Sequence, residues 1–127
     1  MISVGNDIEE VSRFRRLLEI KPQMLQKIFS QYEWDYSLSK NQAQTLAGIW
    51  CAKEAVVKAV FNSKIIDVRD VQIQHHKSGA PYVFDIQHFE MFANFEFSIS
   101  ISHTKNYATA VCIIQKIPFH NYGHLST

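Results

Sequence analysis

Apolar and polar positions change their period halfway along this chain. In the first half, Val11, Phe14, Leu17 and Leu18 recur at helical spacing, interleaved with Arg13, Arg15 and Arg16. Before them, Met1 to Gly5 form a short apolar start, and Gly5-Asn6-Asp7 reads as the end of a strand turning into that helix. Pro22 suits the first turn of a second short helix ending near Phe29. Ser30 is placed to cap a third, with Glu33 three positions on, as in a capping box. A long helix is expected from about Asn41 to Phe61.

The second half alternates. Val71 and Ile73, then Tyr82, Phe84 and Ile86, read as strands parted by a turn at Ser78-Gly79-Ala80-Pro81. Phe95, Phe97, Ile99, Ile101 and His103 alternate against Glu96, Ser98, Ser100 and Ser102. Thr104-Lys105-Asn106 then turns the chain into a last strand, about Tyr107 to Gln115. Helices followed by a small, mostly antiparallel sheet make an α+β fold. The pattern weakens from Pro118, so residues 1–117 are read as one domain and 118–127 as a tail outside the core.

Composition narrows the class. The 127 residues are 46% hydrophobic and 20% charged, which suits one domain with a real core and argues against disorder. A net charge of +1 exerts no global pull toward nucleic acid or membrane. Cys51 and Cys112 lie in apolar segments without metal-ligand spacing, as expected in a reducing cytoplasm. No apolar run approaches a membrane span, and the start of the chain reads as a strand rather than a signal peptide.

The long helix is apolar nearly all round, yet it carries Lys53, Glu54 and Lys58. Charges in a buried helix are costly unless paired or bound to a metal. Glu54 and Lys58 are four apart and share a face, with Trp50 one turn back, while Lys53 points about a quarter-turn away. An ordinary exposed Glu–Lys pair would contribute only about 0.3–0.5 kcal/mol. Asp7 and Glu54, a strand-end carboxylate and one on a facing helix, can instead share a hard divalent cation such as Mg²⁺, which completes its shell with water and phosphate oxygens. Taken alone, Asp7 reads more readily as a helix N-cap. Lys58 would neutralise phosphate charge or act as a base. His103 closes a strand and opens a turn, a position that is either functional or simply solvated. His75, His76, His88, His120 and His124 are assigned to no metal. Arg13, Arg15, Arg16 and Lys21 make the first helix basic, either as a solvated face or as a dock for an acidic partner. Nucleic acid fits less well, since no aromatic stacking pattern accompanies the short patch.

In their order these segments resemble the holo-acyl-carrier-protein synthases, the small 4′-phosphopantetheinyl transferases. The matching pieces are Gly5-Asn6-Asp7-Ile8-Glu9-Glu10-Val11, then Lys27-Ile28-Phe29-Ser30 with Glu33 and Tyr36. Leu46-Ala47-Gly48 and Cys51-Ala52-Lys53-Glu54-Ala55 with Lys58-Ala59 follow. Gly79-Ala80-Pro81, Ser100-Ile101-Ser102-His103-Thr104 and Tyr107-Ala108-Thr109-Ala110 complete the series, which spans residue 2 to about 115. The resemblance implies transfer of the phosphopantetheine arm of coenzyme A to a serine of apo acyl carrier protein, releasing adenosine 3′,5′-bisphosphate. It implies Mg²⁺ held by Asp7 and Glu54, with Lys58 beside the diphosphate. His103 and Thr104 would line the coenzyme site, and Gly79 to Pro81 would lie near the adenine. Arg13 and Arg16 would meet the acidic carrier protein. It also implies a homotrimer in which His103 comes from the neighbouring subunit. Lys58, His103, a carboxylate and metal-activated water all remain candidates to take the serine proton.

The sequence departs from the family pattern at Asn6, at Ile49, where an arginine is usual, and at Phe61-Asn62-Ser63-Lys64, where a glycine turn is usual. Isoleucine cannot grip phosphate as an arginine fork does. Lys64 is the candidate to compensate. Two alternatives therefore stand beside the transferase: a coenzyme- or carrier-binding module that has lost catalysis, and a Mg²⁺-dependent hydrolase of a nucleotide diphosphate.

Overall fold

A computed structural model describes residues 1–86 and 90–117. His88, His120, His124 and the tail expected from Pro118 lie outside the described residues. Among the described residues, five strands and four α-helices follow in the order β1 (Ile2–Glu10), α1 (Val11–Ile20), α2 (Pro22–Gln26), α3 (Gln31–Leu38), α4 (Gln42–Ala59), β2 (Val71–His75), β3 (Pro81–Ile86), β4 (Phe95–His103) and β5 (Tyr107–Lys116). The fold is α+β, and every strand pairing is antiparallel. The strands form two sheets rather than one: β1-β5-β4 with β5 central, and the separate hairpin β2-β3.

The N-terminal strand runs further than its sequence indicates. It pairs with β5 without a break from Ile2↔Gln115 to Glu10↔Tyr107, placing Asp7 in mid-strand opposite Ala110. The Thr109 hydroxyl adds a bond to the Asp7 carbonyl oxygen at 2.8 Å. Asp7 is therefore not a helix N-cap. That position belongs to Glu10, whose side chain makes no capping bond. The periodicity misleads because β1 is inverted. Ile2, Val4 and Ile8 face outward, while Ser3, Gly5, Asp7 and Glu9 face the helical layer.

Long and buried, α4 is the organising element. Asn41 caps it by accepting from the Gln44 amide. Its small residues, Ala47, Cys51, Ala52, Ala55 and Ala59, pack on Ala108, Ala110, Cys112 and Ile114 of β5. Small side chains on both surfaces permit close approach. The approach is closest at two glycines. A β-carbon on Gly48 would come 2.9 Å from Ile101 Cγ2 on β4. One on Gly5 would overlap the Ala55 carbonyl oxygen and lie 2.6 Å from the Ala59 amide nitrogen. So α4 crosses the sheet diagonally, with Gly48 against β4 and Ala55 and Ala59 against β1.

The shorter helices follow their signals. Ser30 and Glu33 form a reciprocal capping box at α3, with bonds of 3.1 and 2.8 Å. α2 ends at Gln26, short of Phe29, and a turn completes the segment.

Candidate active site

The close approach at Gly5 brings Asp7 of β1 beside the last two turns of α4. Lys58 Nζ donates to Asp7 Oδ1 at 3.2 Å and to the Asn6 carbonyl oxygen at 3.0 Å. The Asp7 side chain is 13% exposed, and its Oδ2 is buried with no hydrogen-bond partner. A buried carboxylate oxygen left unpaired is costly and marks a place for an absent partner. Glu54 lies one turn before Lys58 and is half-buried. Burial raises its carboxyl pKa, the Asp7 charge raises it further, and Lys58 lowers it in part. Asp7 and Glu54 thus lie close enough for their charges to repel.

Two facing carboxylates with an orphan oxygen fit a hard divalent cation that retains water or phosphate oxygens in its remaining positions. Among the described residues no set of three His, Cys, Asp or Glu side chains forms a metal cage. Cys51 lies under this pair and points its thiol at the Ala108 carbonyl oxygen, 3.4 Å away. Burial, then the Asp7 and Glu9 charges, push that thiol up to about 12. It stays a thiol and is no nucleophile. Burial likewise pushes Cys112 up to about 12.

A second group lies on the β4 side of α4. Gly79, Pro81, His103, Tyr36, His75 and Ile49 line a cavity of about 350 Å³. Gly79 closes the β2–β3 turn at φ +94°, a conformation that favours glycine, and its amide donates to the His76 carbonyl at 2.9 Å. The rings of Tyr36 and His75 stack at 3.9 Å, and the Lys40 ammonium lies 5.4 Å from the centre of the Tyr36 ring. Burial, and then Lys40, lower the His75 pKa. Ile49 presents an apolar side chain to this cavity. A larger cavity of about 490 Å³ lies between β3 and the start of β4 and includes none of the candidate residues.

The sequence-derived candidates therefore separate. Asp7, Glu54 and Lys58 come together. Gly79, Pro81 and His103 come together elsewhere, at the first half of α4. Thr104 is committed to its own turn: its hydroxyl accepts from the Asn106 and Tyr107 amides, and its carbonyl accepts from Gln44 at 2.9 Å. Lys64 sits on the turn after α4, where its amide donates to the Val60 carbonyl, and does not line the cavity. Arg13 pairs with Glu9 at 3.0 Å and lies 5.9 Å from the rings of Phe14 and Trp50, while Arg16 is exposed on the same helix.

Sequence reasoning missed the stack of Tyr36 on His75 and the role of Lys53. Lys53 is 1% exposed and pairs with the fully buried Glu33 at 2.8 Å. Burial lowers its pKa, and the attraction of Glu33 offsets part of that. A signal was available. Lys53 stands four positions after Ile49 and three before Val56, at core spacing in an apolar helix, so a buried partner had to exist.

A diagonal buried helix between a three-stranded sheet and a hairpin, with a carboxylate pair beside a lysine, defines a class. The family model of the 4′-phosphopantetheinyl transferase superfamily matches residues 3–112, and the chain belongs to that family. Among its relatives, the holo-[acyl-carrier-protein] synthase of Fusobacterium nucleatum is 34% identical over 121 residues, covering 90% of this chain and 98% of the relative. That of Caldanaerobacter subterraneus is 36% identical over 118 residues, covering 88% and 93%. Of solved structures, the Mycobacterium tuberculosis acyl carrier protein synthase aligns with a TM-score of 0.74 at 27% identity, covering 90% of this chain and 96% of that one. The Helicobacter pylori holo-[acyl-carrier-protein] synthase in complex with coenzyme A aligns at 0.73 and 25% identity, covering 88% and 99%.

Proposed function

We propose that this chain transfers the 4′-phosphopantetheine arm of coenzyme A to a serine of apo acyl carrier protein, with adenosine 3′,5′-bisphosphate as the second product. The observation that carries the chemistry is the unpartnered, buried Asp7 Oδ2 beside Glu54 and Lys58. Asp7 and Glu54 would hold Mg²⁺. Bound there, the ion would supply positive charge to offset the negative charge developing on the leaving phosphate. Lys58, held by Asp7 and the Asn6 carbonyl, directs its ammonium toward the same phosphate. Gly79, Pro81 and His103 form the wall for the nucleotide end. Arg13 and Arg16 on α1 receive the acidic carrier protein.

The placement of the two groups at opposite ends of α4, on strands parted by β5, supports a site shared between subunits of a homotrimer. The outer face of β1 and β5 supports the same reading. It leaves Ile2, Val4, Ile8, Val111 and Ile113 exposed on one surface, and such apolar patches mark interaction sites. Two free, buried cysteines suit the reducing cytoplasm. Among the described residues, no helix is long and apolar enough to cross a membrane.

The test is intact-protein mass spectrometry of apo acyl carrier protein incubated with coenzyme A, Mg²⁺ and this chain. A phosphopantetheine mass gain is expected that requires Mg²⁺ and is lost in folded Asp7→Asn and Glu54→Gln variants. Gain without Mg²⁺, or at the ordinary rate in either variant, would remove the metal assignment. Coenzyme binding without mass gain would instead identify a non-catalytic binding module, the outcome to which Ile49 in the cavity wall points. Adenosine 3′,5′-bisphosphate released without any acceptor protein would identify a hydrolase.

A further inference from the structure

Glu33 and Lys53 are buried, and neither lines the cavity that holds His103. Every polar atom of the pair is used. Lys53 Nζ reaches Glu33 Oε1 at 2.8 Å, the Val71 carbonyl at 2.5 Å and the Val68 carbonyl at 3.4 Å. Glu33 Oε1 also accepts from the Ser30 amide at 2.8 Å, and Oε2 accepts from the Ile73 amide at 2.7 Å. The start of α3, the middle of α4, the 3₁₀ turn Val68–Asp70 and strand β2 therefore meet at one ion pair.

Two placements give the junction a consequence for the site. Ile73 lies where the β2–β3 ladder shifts register, so a side-chain acceptor holds the hairpin at an irregular point of its ladder. That hairpin carries His75, Gly79 and Pro81 into the cavity. On α4, Lys53 immediately precedes Glu54, and one residue along a helix is about 100° of rotation. With Lys53 locked toward the hairpin, Glu54 is turned toward β1 and Asp7. A buried ion pair is seldom the most stable filling for such a space, and apolar replacements often match or exceed it. Orientation is what this pair supplies.

We propose that Glu33 and Lys53 are positioning residues for the transfer reaction, holding the β2–β3 hairpin and the Glu54 face of α4 in one fixed relation. The proposal rests on the transferase reading for its catalytic consequence and on the hydrogen-bond geometry for its structural one. The test compares the wild-type chain with the double variant Glu33→Gln, Lys53→Met, which removes both charges and retains an amide able to bond Ile73 or Ser30.

Two readouts are taken. By hydrogen exchange, hairpin amides in the folded double variant are expected to exchange roughly tenfold faster, while those of β1 and β5 are unchanged. In transfer kinetics, KM for coenzyme A is expected to rise roughly tenfold while KM for the carrier protein, which docks on α1, stays put. A folded double variant with unchanged hairpin exchange and unchanged KM for coenzyme A would overturn the proposal. Exchange is read whether or not the wild-type chain transfers phosphopantetheine, so a wrong functional reading is told apart from a wrong assignment of the pair. Should the double variant not fold, exchange in the wild-type chain decides. The Ile73 amide is expected to be roughly tenfold better protected than the ladder amides of β3, and equal protection would overturn the proposal.

Discussion

Glu54 shares a half-buried space with the Asp7 carboxylate, and its burial, with the repulsion between them, gives stability a pH dependence. Its pKa is raised on folding, first by burial and then by Asp7. The stability linked to this group is complete below the unfolded carboxylate pKa and is lost as pH rises through the folded one. Near neutral pH the metal-free protein therefore carries a strained carboxylate. Glu54→Gln is expected to stabilise the metal-free chain there by on the order of 0.5 kcal/mol. The gain should vanish below the usual carboxylate range, as read from urea midpoints across pH. Mg²⁺ should raise the Tm of the wild-type chain and leave that of the variant unchanged. Gly5 acts by absence: a methyl group there meets the backbone of α4 at Ala55 and Ala59. Gly5→Ala is expected to cost about 2–3 kcal/mol in urea unfolding, because backbone cannot repack as a side chain does.

Among the elements, α1 and α3 make separable contributions. Arg13 and Arg16 lie on α1, away from the cavity that would take the nucleotide. Reversing both to Glu is expected to raise KM for the carrier protein, most strongly at low salt, and to leave KM for coenzyme A unchanged in steady-state assays. The capping box of α3 is expected to contribute about 1 kcal/mol, measurable as the urea-unfolding loss in Ser30→Ala. Its second member, Glu33, does more than cap, because its carboxylate also binds Lys53 and the Ile73 amide. The capping box was legible in the sequence, since its two bonds are local. The reach of Glu33 to Ile73, 40 positions along the chain, was not. β1 shows the same limit. Its pattern of apolar residues is real, but the sequence does not state which face meets the helices.

For the molecule as a whole, the outward apolar face of β1 and β5 offers a test of the proposed homotrimer. Val4→Lys with Val111→Lys, both on that exposed surface, is expected to give a folded monomer by sedimentation equilibrium. Coenzyme A binding should weaken with it in calorimetry, because the two halves of the site would no longer face each other. A monomeric double variant that still binds coenzyme A as the wild type does would show each subunit to be complete alone.

The α+β class, the long helix, the hairpin turn at Gly79 and the identity of the acidic and basic residues at issue are all legible in the amino-acid order. These follow from periodicity, caps and turn chemistry within a few residues. Long-range packing alone places Asp7 in mid-strand, buries Lys53 against Glu33, and sets the carboxylate pair at the last turns of α4 with His103 near its first half. Those depend on which surfaces pack together, and a one-dimensional pattern records that a surface is apolar without recording what covers it.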